Sequence, residues 1–440
     1  MNEPLTTVRG LAHASTQASR PSACPGLMRI VPARDGGLCR IRLAWGELSA
    51  AQARVVAQVS LESGSGFIDA TNRANLQIRG VTEERDAQEA LVSRLVDAGL
   101  GPDTPDSDDQ RNVMSGPLAG LDSHALLDVV PLVSTLIGQM QRDARLHLLS
   151  PKFALMVDGG ERLAMLDHPH DVWLSAISAD RFVFGLAGCP PQSENDAPAL
   201  AAVKAGPVPE LVNALLHTFL DLAQPWQTRM RDLLATYSIE EILGRVQENL
   251  GFALDRDVEH WRRPASDARL RFGVRRQGTG DSVCVGAQVP LGRLDAATLL
   301  ALADLAPRLR MTPWQSVMLL DVPSADAQAV VDQLAALGLA TNPDEPFARL
   351  IACAGSQGCA KSFADTKADA RVLARSMPPK GDVHLSGCAR SCAAAHRVAT
   401  TLMAVAPGRY DLYGNAPEAL ARHLTIEQAA RWLARSHLDA

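Results

Sequence analysis

The sequence predicts an α+β protein organised as a pseudo-twofold duplication. A strand–helix–strand–helix pattern occurs twice, apolar residues recur at helical spacing in each copy, and a further α/β region follows each copy. The copies are offset by roughly 240 residues. The first runs from Gly37-Leu38-Cys39-Arg40-Ile41-Arg42-Leu43 through Leu48-Ser49-Ala50-Ala51 to a strand at Leu76-Gln77-Ile78. The second runs from Val283-Cys284-Val285-Gly286-Ala287 through Leu294-Asp295-Ala296-Ala297 to a strand at Val317-Met318-Leu319.

In the first copy the closing helix is marked by Ala87, Leu91, Leu95 and Ala98, and in the second by Val330, Leu334 and Leu337. Gly99 and Gly338 follow as C-caps that accept a positive φ. The chain divides into a disordered leader (1–20), a first copy (21–105), a first α/β region (110–245), a second copy (265–342) and a second α/β region (345–440). Pro190 to Pro198 reads as a surface loop, and the charged stretch from Asp255 to Asp267 links the halves. Clefts between such units are the usual places for ligands.

With 440 residues the chain exceeds one ordinary hydrophobic core. Apolar residues make up 47% and charged residues 21%, the balance of a soluble globular protein. A net charge of −6 without a long basic run excludes a general nucleic-acid binder. No apolar stretch is long enough to span a bilayer, and the first twenty residues lack the apolar core of a secretory signal. The expectation is a cytoplasmic protein with no membrane partner, in which structural disulfides do not form.

The eight cysteines therefore need another explanation. Cys353 and Cys359 are separated by five residues, Cys388 and Cys392 by three, with 28 between the pairs. Four thiolates converging from different directions suit a [4Fe–4S] cube, and Gly355, Gly358 and Gly387 let the backbone close around it. Buried thiols and a structural zinc site are the alternatives, although zinc knuckles favour gaps of about two to four residues. Cys24 and Cys189 are scattered; Cys39 and Cys284 sit in apolar strand-like runs and read as core.

The C-x5-C and C-x3-C pattern, combined with the duplication, resembles the nitrite/sulfite reductase superfamily. Thr71-Asn72-Arg73-Ala74-Asn75-Leu76-Gln77-Ile78-Arg79-Gly80 is similar to its tetrapyrrole-facing strand, Arg111-Asn112-Val113 to its Arg-Asn-Val turn, and Ser150-Pro151-Lys152-Phe153 with Asp158-Gly159-Gly160 to its lysine-bearing strand. The resemblance implies two ferredoxin-like half-domains and two iron–sulfur-type α/β domains, with Cys353, Cys359, Cys388 and Cys392 holding the cluster. It also implies that Arg42, Arg73, Arg111 and Lys152 hold tetrapyrrole carboxylates, with Arg40 as the alternative to Arg42.

Three departures stand out. Ala154 replaces a second lysine, Ala389-Arg390-Ser391 replaces Pro-Asn-Gly between the last cysteines, and Arg42-Leu43-Ala44-Trp45-Gly46 replaces an Arg-Leu-Pro-x-Gly signature. They resemble the precorrin-3B synthase branch of aerobic cobalamin biosynthesis. So do Ala23-Cys24-Pro25-Gly26-Leu27, His384-Leu385-Ser386-Gly387-Cys388-Ala389-Arg390-Ser391-Cys392-Ala393 and Tyr410-Asp411-Leu412-Tyr413-Gly414-Asn415, although that branch usually has Gly at the position of Ser391.

That branch implies a monooxygenase that hydroxylates precorrin-3A at C-20 with dioxygen and closes a γ-lactone. It implies a mononuclear non-haem iron beside the cluster, and electrons that come ultimately from NADH through a separate ferredoxin or reductase. The alternative is a sirohaem-dependent sulfite or nitrite reductase; another is a non-enzymatic iron–sulfur carrier. Asp167-His168-Pro169-His170 is the densest histidine cluster and reads as an exposed loop. His384 and His396 flank the last cysteine pair and are candidates for tuning the cluster. The residues single out no iron ligands.

Overall fold

The computed structural model describes residues 6–7, 24–278, 280–376, 381–394 and 398–436. The leader expected over residues 1–20 lies outside this set except for Thr6–Thr7, which pair with Arg29 and Ile30.

Both copies build the same local structure for the same local reasons. In the first, Ser49 caps the helix Ala50–Ser63 through a capping box with Gln52. In the second, the Asp295 side chain accepts from the Thr298 N–H at the start of Ala296–Leu305. The closing helices Arg85–Asp97 and Ala327–Ala336 end alike. Gly99 and Gly338 take φ values of 74° and 81°, and the N–H groups of Leu100 and Leu339 return to the carbonyls of Leu95 and Leu334.

The two copies are interleaved rather than consecutive. The strand Glu47–Ser49 pairs with Arg308–Met311 in the second sheet, and Arg293–Asp295 pairs with Phe67–Ala70 in the first. Each copy thus completes the other's sheet, and one apolar core runs through both, from Leu27, Leu48 and Val56 to Leu299, Leu309 and Leu334. Each exchanged strand carries an ion pair. Glu47 meets Arg310 on one side and Asp69 meets Arg293 on the other, so the charges are reversed across the pseudo-twofold.

The loops before the central strands repeat as well. Thr71 and Thr312 each donate N–H to a residue four positions on, Asn75 and Ser316 respectively. Each threonine hydroxyl accepts an N–H two positions on, from Arg73 and Trp314 respectively. Ala74 and Gln315 both adopt positive φ.

The α/β regions form two further five-stranded sheets. One orders Val113–Ser115, Leu155–Asp158, His170–Ser178, Arg181–Gly188 and Ala201–Lys204. The other orders Leu350–Ala352, Val383–Ser386, Thr400–Ala406, Arg409–Tyr413 and Ala419–Leu424. In both, the first three strands are parallel and the last two antiparallel. A helix (Val130–Arg142 or Thr366–Ala374) joins the first two strands, as a parallel connection requires. Among the described residues no helix is long and apolar enough to cross a membrane.

Arg310 is 2% exposed and binds Glu47 and the carbonyls of Pro117 and Ala119. Glu47→Gln leaves that guanidinium without its counter-charge. The expected cost is about 3 kcal/mol, read as a lower urea midpoint; a midpoint equal to the parent's would contradict the role of the exchanged strands' ion pairs.

Candidate functional site

Two adjacent parallel strands bring the cysteine pairs together. Leu350–Ala352 lies beside Val383–Ser386 with Ala352 opposite Leu385, so the chain leaves both strands at one edge. Cys353 follows the first strand, and Gly387-Cys388 follows the second. The short helix Gly355–Gly358 then returns the chain to Cys359. The Cys353 N–H donates to the Leu385 carbonyl at 3.3 Å, and the Phe363 N–H to the Gly387 carbonyl at 2.9 Å. These bonds tie the two loops into one wall.

The glycines are required by space. A Cβ on Gly387 would lie 1.9 Å from the Ser362 Oγ and 3.3 Å from the Cys353 Sγ. Gly355 has φ +66°, and a Cβ there would meet the Thr366 nitrogen at 2.8 Å. The Gly387 N–H points at the Cys353 Sγ, 3.2 Å away, as an amide does toward a cluster thiolate. Partial desolvation, then the nearby Cys388, Cys353 and Cys359, raise the Cys392 thiol, so those three sulfurs lie within electrostatic reach of it. Among the described residues no three His, Cys, Asp or Glu side chains gather about a single ion. A cube binds each thiolate to a different iron, so its ligands do not meet at one point. The glycine cradle, the amide aimed at sulfur and the four grouped thiols fit a [4Fe–4S] cluster.

A buried ion network lies under this wall. Arg79 binds Asp35 through two contacts of 2.7 and 2.8 Å and donates to the Gly358 carbonyl at 2.8 Å. It also approaches Asp69, which Arg293 holds at 2.7 and 3.0 Å. Lys367 is buried and donates to the Leu291 carbonyl at 2.5 Å; burial pulls its ammonium down to about 8 against the pull of Asp69. Burial alone would raise the Asp69 carboxyl, but Lys367, Arg293 and Arg79 together hold it below its ordinary value. Sequence reasoning missed this network. In the sequence Lys367 and Asp69 are ordinary charges, and only their burial marks them.

The basic residues expected to face a tetrapyrrole separate into two groups. Arg42 is buried, donates to the Asp108 carbonyl at 3.0 Å and pairs with Asp109 at 2.9 Å. Arg111 donates to the carbonyls of Leu100 and Gly101 and pairs with Asp108 at 3.3 Å. Both spend donors inside the fold. Arg40 donates to the Gln77 side-chain carbonyl at 2.7 and 2.9 Å. Lys152 is exposed. Arg73 has a shielded Nη1 that makes no hydrogen bond among the described residues, and burial with the adjacent Arg229 brings it down to about 10. Its neighbour Asn72 donates to the Cys392 carbonyl at 3.2 Å, so this loop touches the cysteine wall.

Asp108 has a second task. Its carboxylate accepts the N–H groups of Leu27 and Met28 at 2.7 and 3.1 Å, and a Cβ on Gly26 would sit 2.3 Å from it. The Cys24-Pro25-Gly26-Leu27 motif is therefore the seat for the acidic pair that neutralises Arg42 and Arg111. Ala154, at the lost lysine, is buried; its N–H donates to the Asp171 carboxylate and its carbonyl accepts the Asp171 N–H, while the same carboxylate holds Arg229.

The reading of Asp167-His168-Pro169-His170 as an exposed loop holds for Asp167 and Pro169, which are exposed and precede the strand, but fails for the two histidines. His168 and His170 are 3% and 1% exposed, and His170 opens the strand His170–Ser178. The segment enters a sheet between two neighbours, which local polarity does not reveal. His384 is buried in the strand Val383–Ser386, and His396 lies outside the described residues. Cys39 and Cys284 are fully buried core residues, as expected.

Residues 31–91 and 275–337 match the nitrite/sulfite reductase ferredoxin-like half domain, and residues 106–254 match the nitrite and sulphite reductase 4Fe-4S domain. The four grouped cysteines lie in the second α/β region, outside that last match. The chain is 29% identical to a precorrin-3B synthase of Sinorhizobium sp, over 91% of this chain and 84% of that protein. It is 29% identical to the chloroplastic ferredoxin–nitrite reductase of Zea mays and 27% identical to a ferredoxin sulfite reductase of Mycobacterium tuberculosis, each over 81% of this chain and 67% of the relative. The chain thus spans about two thirds of those reductases' length. The solved structure of the Mycobacterium tuberculosis NirA protein superposes with a TM-score of 0.74 at 24% identity, covering 92% of this chain and 80% of that one.

Gly387→Ala drives a methyl into Ser362 and is expected to abolish cluster assembly, measured as iron and sulfide content after anaerobic reconstitution; a full complement would refute the cradle. Ser391 adopts φ 48° between Cys388 and Cys392, a conformation costing about 1–2 kcal/mol for a non-glycine residue. Ser391→Gly removes that cost, so the cluster should survive longer against a chelator than in the parent protein.

Proposed function

The chain belongs to the nitrite and sulfite reductase superfamily, and within it we propose that it is a precorrin-3B synthase, using dioxygen to hydroxylate precorrin-3A at C-20 and form the γ-lactone. Its shared chemistry with the superfamily is that of an oxidoreductase. The observation that favours the synthase over a sirohaem reductase is the neutralised cation set. A reductase of sulfite or nitrite needs a permanently held macrocycle and several cations around a small anion. Here Asp108 and Asp109 occupy Arg42 and Arg111, and a buried Ala154 takes the place of a lysine.

A weaker grip suits a macrocycle that enters as substrate and leaves as product. The length relation points the same way, since the precorrin-3B synthase is matched over most of its chain. In this reading Arg73 and Lys152 hold ring carboxylates, while Arg42 and Arg111 stiffen the wall behind them. Cys353, Cys359, Cys388 and Cys392 bind the [4Fe–4S] cluster, which supplies electrons one at a time. The Gly387 N–H orients the Cys353 sulfur. Electrons formally from NADH reach the protein through a separate ferredoxin or reductase. A mononuclear iron belongs to the proposal without assigned ligands.

The test is anaerobic reconstitution with iron and sulfide, then addition of precorrin-3A, an electron donor and dioxygen. A product one oxygen atom heavier, labelled from dioxygen gas, is expected. Stoichiometric sirohaem bands in the purified protein, with sulfite or nitrite turnover, would overturn the synthase assignment.

A further inference from the structure

The Cys353 sulfur has a second polar neighbour besides the Gly387 amide. The Thr366 Oγ1 lies 3.5 Å from the Cys353 Sγ and 2.9 Å from the Cys353 carbonyl oxygen, to which it donates. Thr366 is fully buried and opens the helix Thr366–Ala374. The first turn of that helix is tied down on two sides. The Asp365 side chain accepts the Ala368 N–H at 3.2 Å, and Lys367 donates to the Leu291 carbonyl. Gly355, two residues after Cys353, leaves the hydroxyl its room, since a Cβ there would come within 3.0 Å of the Thr366 Oγ1.

One hydroxyl proton thus has two acceptors within reach, a peptide carbonyl and a sulfur. Beside a free thiol the carbonyl takes it, as in this structure. A thiolate bound to iron has given up its own proton and carries negative charge, so it accepts a hydrogen bond more strongly than a thiol does. Turning the O–H about the Cβ–Oγ1 bond directs the proton to sulfur without moving a heavy atom. Each electron added to a cube raises the negative charge on its sulfurs, and donors to those sulfurs therefore favour the reduced state. Burial of Thr366 keeps water from competing for the bond.

We propose that Thr366 is a positioning residue for the [4Fe–4S] cluster, whose hydroxyl donates to the Cys353 thiolate and raises the cluster's reduction potential. Cys353 then receives two donors from opposite elements, the Gly387 N–H from the strand end and the Thr366 O–H from the helix. The proposal rests on the cluster assignment above and holds whichever macrocycle and whichever substrate the protein takes.

The measurement is an anaerobic spectroelectrochemical titration of the reconstituted full chain, followed by the visible absorbance of the cluster. Thr366→Val keeps the shape and removes the hydroxyl. It should shift the one-electron equilibrium toward the oxidised cluster by about tenfold, a potential lower by about 59 mV. Thr366→Ser restores the hydroxyl and should stay within about twofold of the parent, or about 18 mV. Thr366→Ala removes the hydroxyl with a different side-chain volume and should match Thr366→Val. A parental potential in either hydroxyl-free variant that carries a full complement of iron and sulfide overturns the proposal. So does a shift in Thr366→Ser as large as that in Thr366→Val, because packing rather than the hydroxyl would then set the potential. Failure of both hydroxyl-free variants to take up iron, while Thr366→Ser does, overturns it in favour of a role in assembly. A reconstituted parent protein without [4Fe–4S] absorbance refutes the cluster assignment itself, which the variants' potentials alone cannot do.

Discussion

The reciprocal exchange of two short strands governs the rest of this molecule. Glu47–Ser49 and Arg293–Asp295 each complete the sheet of the opposite copy, and their ion pairs with Arg310 and Asp69 are buried or nearly so. Neither copy can close its sheet alone, so the two fold into one body around one apolar core. The consequence reaches the cysteine wall. Asp69, held by Arg293 on the exchanged strand, is also approached by Arg79, which binds the Gly358 carbonyl just before Cys359. The exchange between the copies thus steadies one of the two cysteine loops.

The opposite side of the site is set by a different balance of charge. Asp108 and Asp109 sit on a short helical turn (Pro105–Gln110) and compensate Arg42, Arg111 and Arg29. Burying two arginines without such partners would cost several kcal/mol each. Compensation inside the fold removes them as free cations for a ligand. Gly26 makes this possible, since its missing side chain leaves room for the Asp108 carboxylate. A motif that looks like a family marker in the sequence is, physically, a clearance for that carboxylate.

Much of the fold was legible in the sequence because its signals are local. The Gly99 and Gly338 terminators and the apolar helix faces each act within a turn or two of chain. The cysteine spacing was legible for the same reason, since the glycines that make room for the loops lie beside the ligands. The strand exchange was not, because pairing between residues some 240 positions apart leaves no local trace. His168 and His170 were misread as exposed because their polarity is local while their burial comes from neighbouring strands.

The sequence by itself determined the duplication, the four-cysteine pattern and the superfamily, because periodicity, caps and spacing are properties of short stretches of chain. Only the tertiary structure decided which charges are free. Arg42, Arg73 and Arg111 read alike in the sequence, yet two of them pair with Asp108 and Asp109, while the shielded Arg73 Nη1 makes no hydrogen bond among the described residues. Whether a charge is compensated depends on the partners that folding places within a few ångströms of it, and Coulomb and desolvation energies act on that distance rather than on position in the chain.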